Sequence, residues 1–119
     1  MDYNKAKKGG ALEMGTLVKY RETFGDEYPP ISSMISDVPI SQKSIVLEHL
    51  KCSEHIEAAS PAILTDFITG IYEKRGEYFS YRLYGDGVYA WTTSDVYHFE
   101  KYNLKLPDDF IEYVLNKVI

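Results

Sequence analysis

The stretch YGDGVYAWTTSDVYHFEKY, residues 84–102, contains a tight-turn signature flanked by aromatic residues and followed by a helical pattern. Gly85 and Gly87 bracket an aspartate and tolerate the positive φ angles that a β-hairpin turn requires. Aromatic and polar residues alternate on both sides of this turn, which is typical of strands. We therefore predict an antiparallel hairpin in which Tyr81 and Tyr84 face Tyr89 and Trp91.

Two helices are predicted after the hairpin. Ser94 and Asp95 are common residues at helix starts, and Asn103 is a common residue at helix ends. A second helix is predicted with Pro107 at its first position and two aspartates in its first turn. The apolar stripe of the first helix comprises Val96, Phe99 and Tyr102, and that of the second comprises Phe110, Ile111, Val114, Leu115 and Val118.

The residues before the hairpin predict one further helix and a few short strands. PPISSMISDVP, residues 29–39, has room between its prolines for only a short helical turn. A helix is predicted after an N-cap at Ser41, then a short strand within 54–63 that ends at Pro61, and either a loop or a strand over 64–78. The chain is therefore predicted to be α+β, with a small antiparallel sheet of three or four strands and helices packed on one face.

The composition limits the class of protein and its partners. The chain has 119 residues, of which 45% are hydrophobic, and this suits one domain with a single core. No apolar run is long enough for a membrane span or a signal peptide, and the lone Cys52 cannot form an intramolecular disulfide, so we expect a cytoplasmic protein. The net charge of -5 disfavours nucleic acid and suits a basic protein partner. No cofactor is expected.

The segment KKGGALEMG, residues 7–15, has an unusual property at the level of its codons. Lys-Lys-Gly-Gly can be encoded with the purine-rich string AAAGGAGG, which resembles a bacterial ribosome-binding site. Met14 follows at the spacing of a start codon. We therefore predict that residues 1–13 are a disordered leader outside the native coding sequence, and that 14–119 is the single folded domain.

Two clusters contain residue types that catalyse reactions or bind metals. Asp95 and His98 are three residues apart on one predicted helix, where they could form a general-base pair or an ordinary surface pair. His49, Cys52 and His55 also recur at intervals of three and are typical zinc ligands, although a structural zinc site needs a fourth donor. These clusters make a small hydrolase or a metal-dependent enzyme the alternative hypothesis for function.

Tyrosine accounts for 11 of the 119 residues, and several lie at or near the predicted hairpin. Tyrosine is rigid and amphipathic, and it is enriched at protein interfaces. An acidic protein with a tyrosine-rich face therefore fits partner binding better than catalysis. The residues predicted to contact the partner are Tyr84, Asp86, Tyr89 and Glu100.

The segments ASPAILTDFITG and YGDGVYAWTTSDVYHFEKYNLKLPDDFIEYV resemble a set of small, mostly uncharacterised bacterial proteins. The shared pattern is a turn with Asp-Gly, an aromatic residue, a tryptophan, an aromatic-rich helix and Lys-Tyr-x-Leu-x-Leu-Pro-acid-Phe. These proteins are similar to immunity or accessory proteins of bacterial toxin systems. The resemblance thus implies a non-catalytic binding protein that neutralises a toxin. The matching positions are Asp86, Gly87, Tyr89, Trp91, Tyr97, Lys101, Tyr102, Leu104, Leu106, Pro107 and Phe110.

Overall fold

The computed structural model describes residues 15–55, 64–73 and 82–117. The strands are β1 (Gly15–Thr16), β2 (Glu54–His55), β3 (Leu64–Asp66), β4 (Ile71–Glu73), β5 (Leu83–Gly85) and β6 (Tyr89–Thr92). The helices are α1 (Arg21–Phe24), α2 (Lys43–Cys52), α3 (Thr93–Tyr102) and α4 (Asp108–Lys117), with a 3-10 turn at Ile31–Met34. The predicted α+β class and the two C-terminal helices are confirmed. The predicted leader, residues 1–13, lies outside the described residues.

Four strands form the main sheet in the order β1-β6-β5-β2. β5 and β6 form the predicted antiparallel hairpin, in which Tyr84 lies opposite Trp91, while Tyr81 lies outside the described residues. β2 is also antiparallel to β5, but β1 runs parallel to β6, with Gly15 opposite Tyr89. The main sheet is therefore mixed rather than wholly antiparallel. A parallel pair requires a long crossover connection, and the described residues between β1 and β6 include two α-helices and four strands.

α3 begins immediately after β6 and is capped at both ends by side chains and backbone. Thr92, rather than the predicted Ser94, is the N-cap, and it forms a capping box with Asp95. Asn103 ends the helix as predicted, because it adopts the left-handed conformation with φ of 57° and its N–H donates to the carbonyl of Phe99 at 3.1 Å.

The other two long helices begin within two residues of their predicted starts. α2 follows Gln42 rather than Ser41, and no side chain caps its N-terminus. α4 follows Pro107, whose carbonyl accepts the N–H groups of Phe110 and Ile111 at 3.1 Å each. These differences of one residue do not change the architecture.

Residues 64–73 form a second, separate hairpin from β3 and β4, which resolves the ambiguous sequence pattern in favour of strands. Gly70 has φ of 81° in its turn, and its N–H donates to the carbonyl of Asp66 at 2.7 Å. This hairpin packs on α3, where the N–H of Phe67 donates to Nε2 of His98 at 3.0 Å.

The two faces of the main sheet have different neighbours. Trp91 is 1% exposed and packs against α2 and α4, where its Nε1–H donates to the carbonyl of Leu50 at 3.1 Å. Ala90 and Thr92 alternate with Trp91 along β6 and therefore point to the opposite face, beside α1. No helix in the described part of the chain is long and apolar enough to cross a membrane.

Candidate functional site

Asp86 organises the tip of the β5–β6 hairpin from the inside. Its Oδ1 accepts the N–H groups of Val88 at 2.9 Å and Tyr89 at 2.8 Å, and its Oδ2 lies 2.8 Å from Nε2 of His49 in α2. The side chain is only 3% exposed. Burial raises the pKa of this carboxyl, but the Tyr89 amide and the His49 ring outweigh burial, and the pKa of Asp86 lies below its ordinary value. Asp86 therefore holds Tyr89 and His49 in position.

An aromatic cluster extends from this hairpin to α4. The ring centroids of Tyr89 and Phe110 are 5.1 Å apart, and those of Tyr89 and Tyr113 are 5.7 Å apart, both edge to face. Tyr84 stacks on Trp91, with 6.4 Å between centroids and 6° between planes. These geometries are the favourable ones for aromatic pairs. The members of the aromatic cluster are His49, Tyr84, Tyr89, Trp91, Phe110 and Tyr113.

Tyr89 and Tyr113 are the members of the cluster whose polar ends remain available. Both rings are half-buried. Within residues 15–55, 64–73 and 82–117, neither hydroxyl has a hydrogen-bond partner. Asp109 is exposed one helical turn before Tyr113, and Glu112 is exposed beside it. Asp109 therefore lies on the same side of α4 as Tyr113, and α4 exposes two acidic side chains within four residues of that ring.

Glu100 occupies a different position from the other three predicted contact residues. It lies on α3, and its Oε1 is 3.2 Å from Nζ of Lys51 in α2. Its side chain is 38% exposed. The structure thus places Tyr84, Asp86 and Tyr89 together at the hairpin and Glu100 on a neighbouring helix.

Tyr113 is a candidate contact residue that the sequence analysis missed. It borders the apolar stripe of α4 that contains Phe110 and Val114, so its ring packs while its edge stays accessible. The sequence contained one indication of this role. Asp109, Tyr113 and Lys117 are spaced four residues apart, which places Tyr113 on the same side of the helix as two charged residues. Lys117 places its Nζ 5.4 Å from the centroid of the Tyr113 ring.

Asp95 and His98, the predicted general-base pair, are both buried rather than exposed. Asp95 is 5% exposed and His98 is completely buried. They are linked indirectly, because the Tyr20 hydroxyl donates to Oδ1 of Asp95 at 2.8 Å and lies 2.8 Å from Oγ of Ser94. Nδ1 of His98 lies 3.3 Å from the same Oγ. The alternative that Asp95 and His98 form an ordinary surface pair is therefore wrong.

Both ring nitrogens of His98 have partners within the protein. Nδ1 donates to the carbonyl of Ser94 at 2.7 Å, while Nε2 accepts the N–H of Phe67 at 3.0 Å. These two bonds specify the neutral tautomer with its proton on Nδ1. Burial lowers the pKa of His98 and keeps the ring neutral. A general base must reach a substrate, and this ring is instead engaged by the backbone on both sides.

The second predicted cluster does not form a metal centre among the described side chains. No group of three His, Cys, Asp or Glu residues in that part of the chain is placed to hold an ion. His49 is bonded to Asp86, and Cys52 is exposed with a free thiol. The side chain of His55 lies outside the described set.

Several tyrosines serve the interior rather than a binding face. Tyr20 is completely buried and bonds to Asp95, while Tyr97 and Tyr102 donate to Oδ2 of Asp66 at 2.7 and 2.6 Å. Among the described tyrosines, one group therefore forms a buried hydrogen-bond network and another belongs to the half-buried aromatic cluster. No protein family, no curated protein and no solved structure matches this chain.

Proposed function

We propose that this chain is a non-catalytic binding protein that recognises a basic protein partner. Its contact region is the Tyr89–Tyr113 surface, which comprises Tyr84, Tyr89, Asp109, Glu112 and Tyr113. One observation carries the proposal: Tyr89 and Tyr113 are packed edge to face, yet their hydroxyls have no partner within the described residues. Rings fixed in this way lose little conformational entropy when a partner binds.

The hairpin supports the proposal by holding Tyr89 in one orientation. Asp86 accepts the Tyr89 N–H at 2.8 Å and is itself bonded to His49. We assign to Asp86 the positioning of Tyr89 rather than direct contact with the partner. Tyr84 is held through its stack on Trp91. The two hairpin tyrosines are therefore anchors supported by a rigid base, as residues that dominate binding energy commonly are.

Charge favours a basic partner over an acidic one. The chain has a net charge of -5, and α4 exposes Asp109 and Glu112 within four residues of the Tyr113 anchor. Complementary charge increases the association rate, and buried aromatic anchors reduce the dissociation rate. Glu100, which is partly exposed on α3, adds to the negative potential.

The resemblance of residues 59–70 and 84–114 to immunity and accessory proteins supports a narrower class of partner. We propose that the partner is a bacterial toxin and that binding occurs in the cytoplasm. In this proposal the chain neutralises the toxin by covering its active site with the acidic tyrosine surface. Neutralisation of this kind needs no catalytic residue, in agreement with the internal use of Asp95 and His98.

Affinity capture from cells of the source organism tests this function. Wild-type chain should retain a basic protein at low salt and release it at high salt, because charge contributes to association. The captured protein, once purified, should bind the wild-type chain directly. It should also arrest growth when expressed alone, and co-expression of the wild-type chain should restore growth.

The variant Tyr89→Ala/Tyr113→Ala should weaken direct binding by at least about tenfold, which is the usual scale for loss of anchor residues. Tyr28→Ala is the matched control, because Tyr28 is also half-buried but lies next to Phe24, away from this surface. Circular dichroism establishes that each variant is folded. Equal binding by the double variant and the control would contradict the proposed surface, and capture of no basic protein would contradict the proposed function.

A further inference from the structure

A cavity of about 240 Å³ lies against the face of the main sheet that carries Ala90 and Thr92. α1 covers it from outside, with Phe24 on its wall, and the first turn of α3 closes its inner end with Asp95. Leu83 contributes from β5, and Trp91 contributes from β6. The walls are thus mainly apolar, with threonine hydroxyls and a single carboxylate.

The exposure of the lining residues shows which end of the cavity is open. Thr16, Thr23 and Phe24 are exposed, and Phe24 is 42% exposed. Ala90 and Asp95 are only 8% and 5% exposed. The mouth therefore lies at α1 and β1, and the cavity deepens toward the carboxylate of Asp95.

The carboxylate of Asp95 retains hydrogen-bonding capacity at this buried end. Oδ1 accepts the Tyr20 hydroxyl at 2.8 Å, and Oδ2 accepts the Thr92 N–H at 2.9 Å. The Thr92 hydroxyl also hydrogen-bonds to this carboxylate. A carboxylate has about four acceptor positions, so these three bonds leave room for one further donor. Burial raises the pKa of Asp95 to about 6, which shows that its negative charge is costly in this environment.

The chemistry of the lining favours one class of ligand. No lysine or arginine is among the described residues that line the cavity, so an anionic ligand would meet only a like charge. A cationic donor would pair with the carboxylate and offset the cost of burying it. The apolar walls suit a hydrocarbon body. Liquid water occupies about 30 Å³ per molecule, so the cavity has room for roughly eight heavy atoms.

We infer that this cavity binds a small primary ammonium ion with an apolar body, and that Asp95 accepts hydrogen bonds from the ammonium group. Phe24, Leu83 and Ala90 surround the hydrocarbon part. The inference is independent of the proposed function, because the residues that line the cavity and those of the Tyr89–Tyr113 surface do not overlap. A ligand could occupy the cavity whether or not a protein partner is bound.

Titration of isotope-labelled protein with benzylamine, followed by amide NMR, tests the inference. Benzylamine is protonated at neutral pH, and benzyl alcohol is its uncharged analogue of similar size. Saturable shifts are expected at Thr16, Leu83 and Ala90. Benzylamine should bind at least about tenfold more tightly than benzyl alcohol, the ratio expected for a charge-assisted hydrogen bond.

Two variants separate the roles of charge and space. Asp95→Asn should reduce benzylamine affinity to that of benzyl alcohol, while Ala90→Leu should fill the cavity and abolish saturable binding of both probes. Val88→Thr is the matched control, because Val88 is 48% exposed outside the cavity, and it should bind as the wild type does.

Three results would overturn the inference. They are the absence of saturable benzylamine shifts in the wild type, equal affinity of the wild type for the two probes, and unchanged benzylamine binding in Ala90→Leu. The last measurement remains decisive if Asp95→Asn does not fold, because Ala90→Leu leaves the carboxylate in place.

Discussion

The carboxylate of Asp66 is 1% exposed and nevertheless ionised. Burial raises its pKa, but the hydroxyls of Tyr102 and Tyr97 and the amides of Thr69 and Ile68 outweigh burial and lower the pKa from 3.8 to about 2. Asp66 thereby connects the β3–β4 hairpin to α3. Because the folded state binds the proton less tightly than the unfolded state, ionised Asp66 stabilises the fold above pH 4.

Asp66→Asn should remove this stabilisation. A pKa lowered from 3.8 to about 2 contributes about 2 kcal/mol to the free energy of unfolding. The wild type should lose this contribution as the pH falls from about 4 to about 2. Urea unfolding of both proteins between pH 7 and pH 2 measures this. The difference between them should be largest at neutral pH and should disappear near pH 2.

Asp37→Asn is the control for that series, because Asp37 is exposed outside the hydrogen bonds of Asp66. It should follow the wild-type pH profile. A constant difference between Asp66→Asn and the wild type at every pH would show that Asp66 contributes through packing alone.

At the scale of the element, α3 is fixed at its two ends by different devices. Its start relies on the Thr92 and Asp95 capping box, and its end relies on a non-glycine residue in the left-handed conformation, Asn103. Nζ of Lys43 donates to Oδ1 of Asn103 at 2.6 Å, so this helix end is also tied to α2. The side chain and the backbone of Asn103 therefore contribute separately.

Substitutions at Asn103 separate these two contributions. Asn103→Gly and Asn103→Ala both lose the bond to Lys43, but only glycine adopts positive φ without steric cost. We expect the glycine variant to be the more stable by about 1 kcal/mol in chemical denaturation. Equal stability of the two variants would contradict the left-handed conformation at this position.

The sequence predicted the elements whose determinants are local. The hairpin around Gly87, the stop at Asn103 and the apolar stripe of α4 each depend on residues within a few positions of one another. Burial of Asp95 and His98 could not be predicted in this way, because Tyr20 and Phe67 approach them from distant segments. The parallel pairing of β1 with β6 could not be predicted either. β1 has only two residues, and their pattern does not specify a distant partner strand.

The candidate site was also only partly predictable. Tyr84 and Tyr89 could be expected at the hairpin from the turn signature. That Asp86 would point inward depends on His49, which α2 brings to the hairpin. Tyr113 becomes a neighbour of Tyr89 only when α4 packs on the main sheet.

At the scale of the whole molecule, Trp91 connects the main sheet to both helices that cover it. It stacks on Tyr84, contacts His49 of α2 and Phe110 of α4, and donates to the carbonyl of Leu50. One side chain therefore contributes to three interfaces between elements. If the indole ring is removed, movement of one neighbouring side chain cannot fill the space that it leaves.

Trp91→Ala should cost about 3 to 5 kcal/mol, the usual range for removal of a large buried aromatic side chain. Denaturant unfolding monitored by circular dichroism measures the loss. Trp91→Phe should lose less, because it keeps an aromatic ring and forfeits mainly the bond to Leu50. A melting temperature near that of the wild type for Trp91→Ala would contradict its role in the core.

The parallel pairing of β1 with β6 sets the order in which the nascent chain can fold. Tyr20, which follows β1, contacts Ser94 across a separation of 74 residues. At a synthesis rate of about 5 to 20 residues per second, the early segment waits several seconds for its partners. During that interval Leu17, Val18 and Tyr20, all buried in the finished fold, have no completed core to enter. Protection of this segment by a chaperone would therefore matter most before β6 is synthesised.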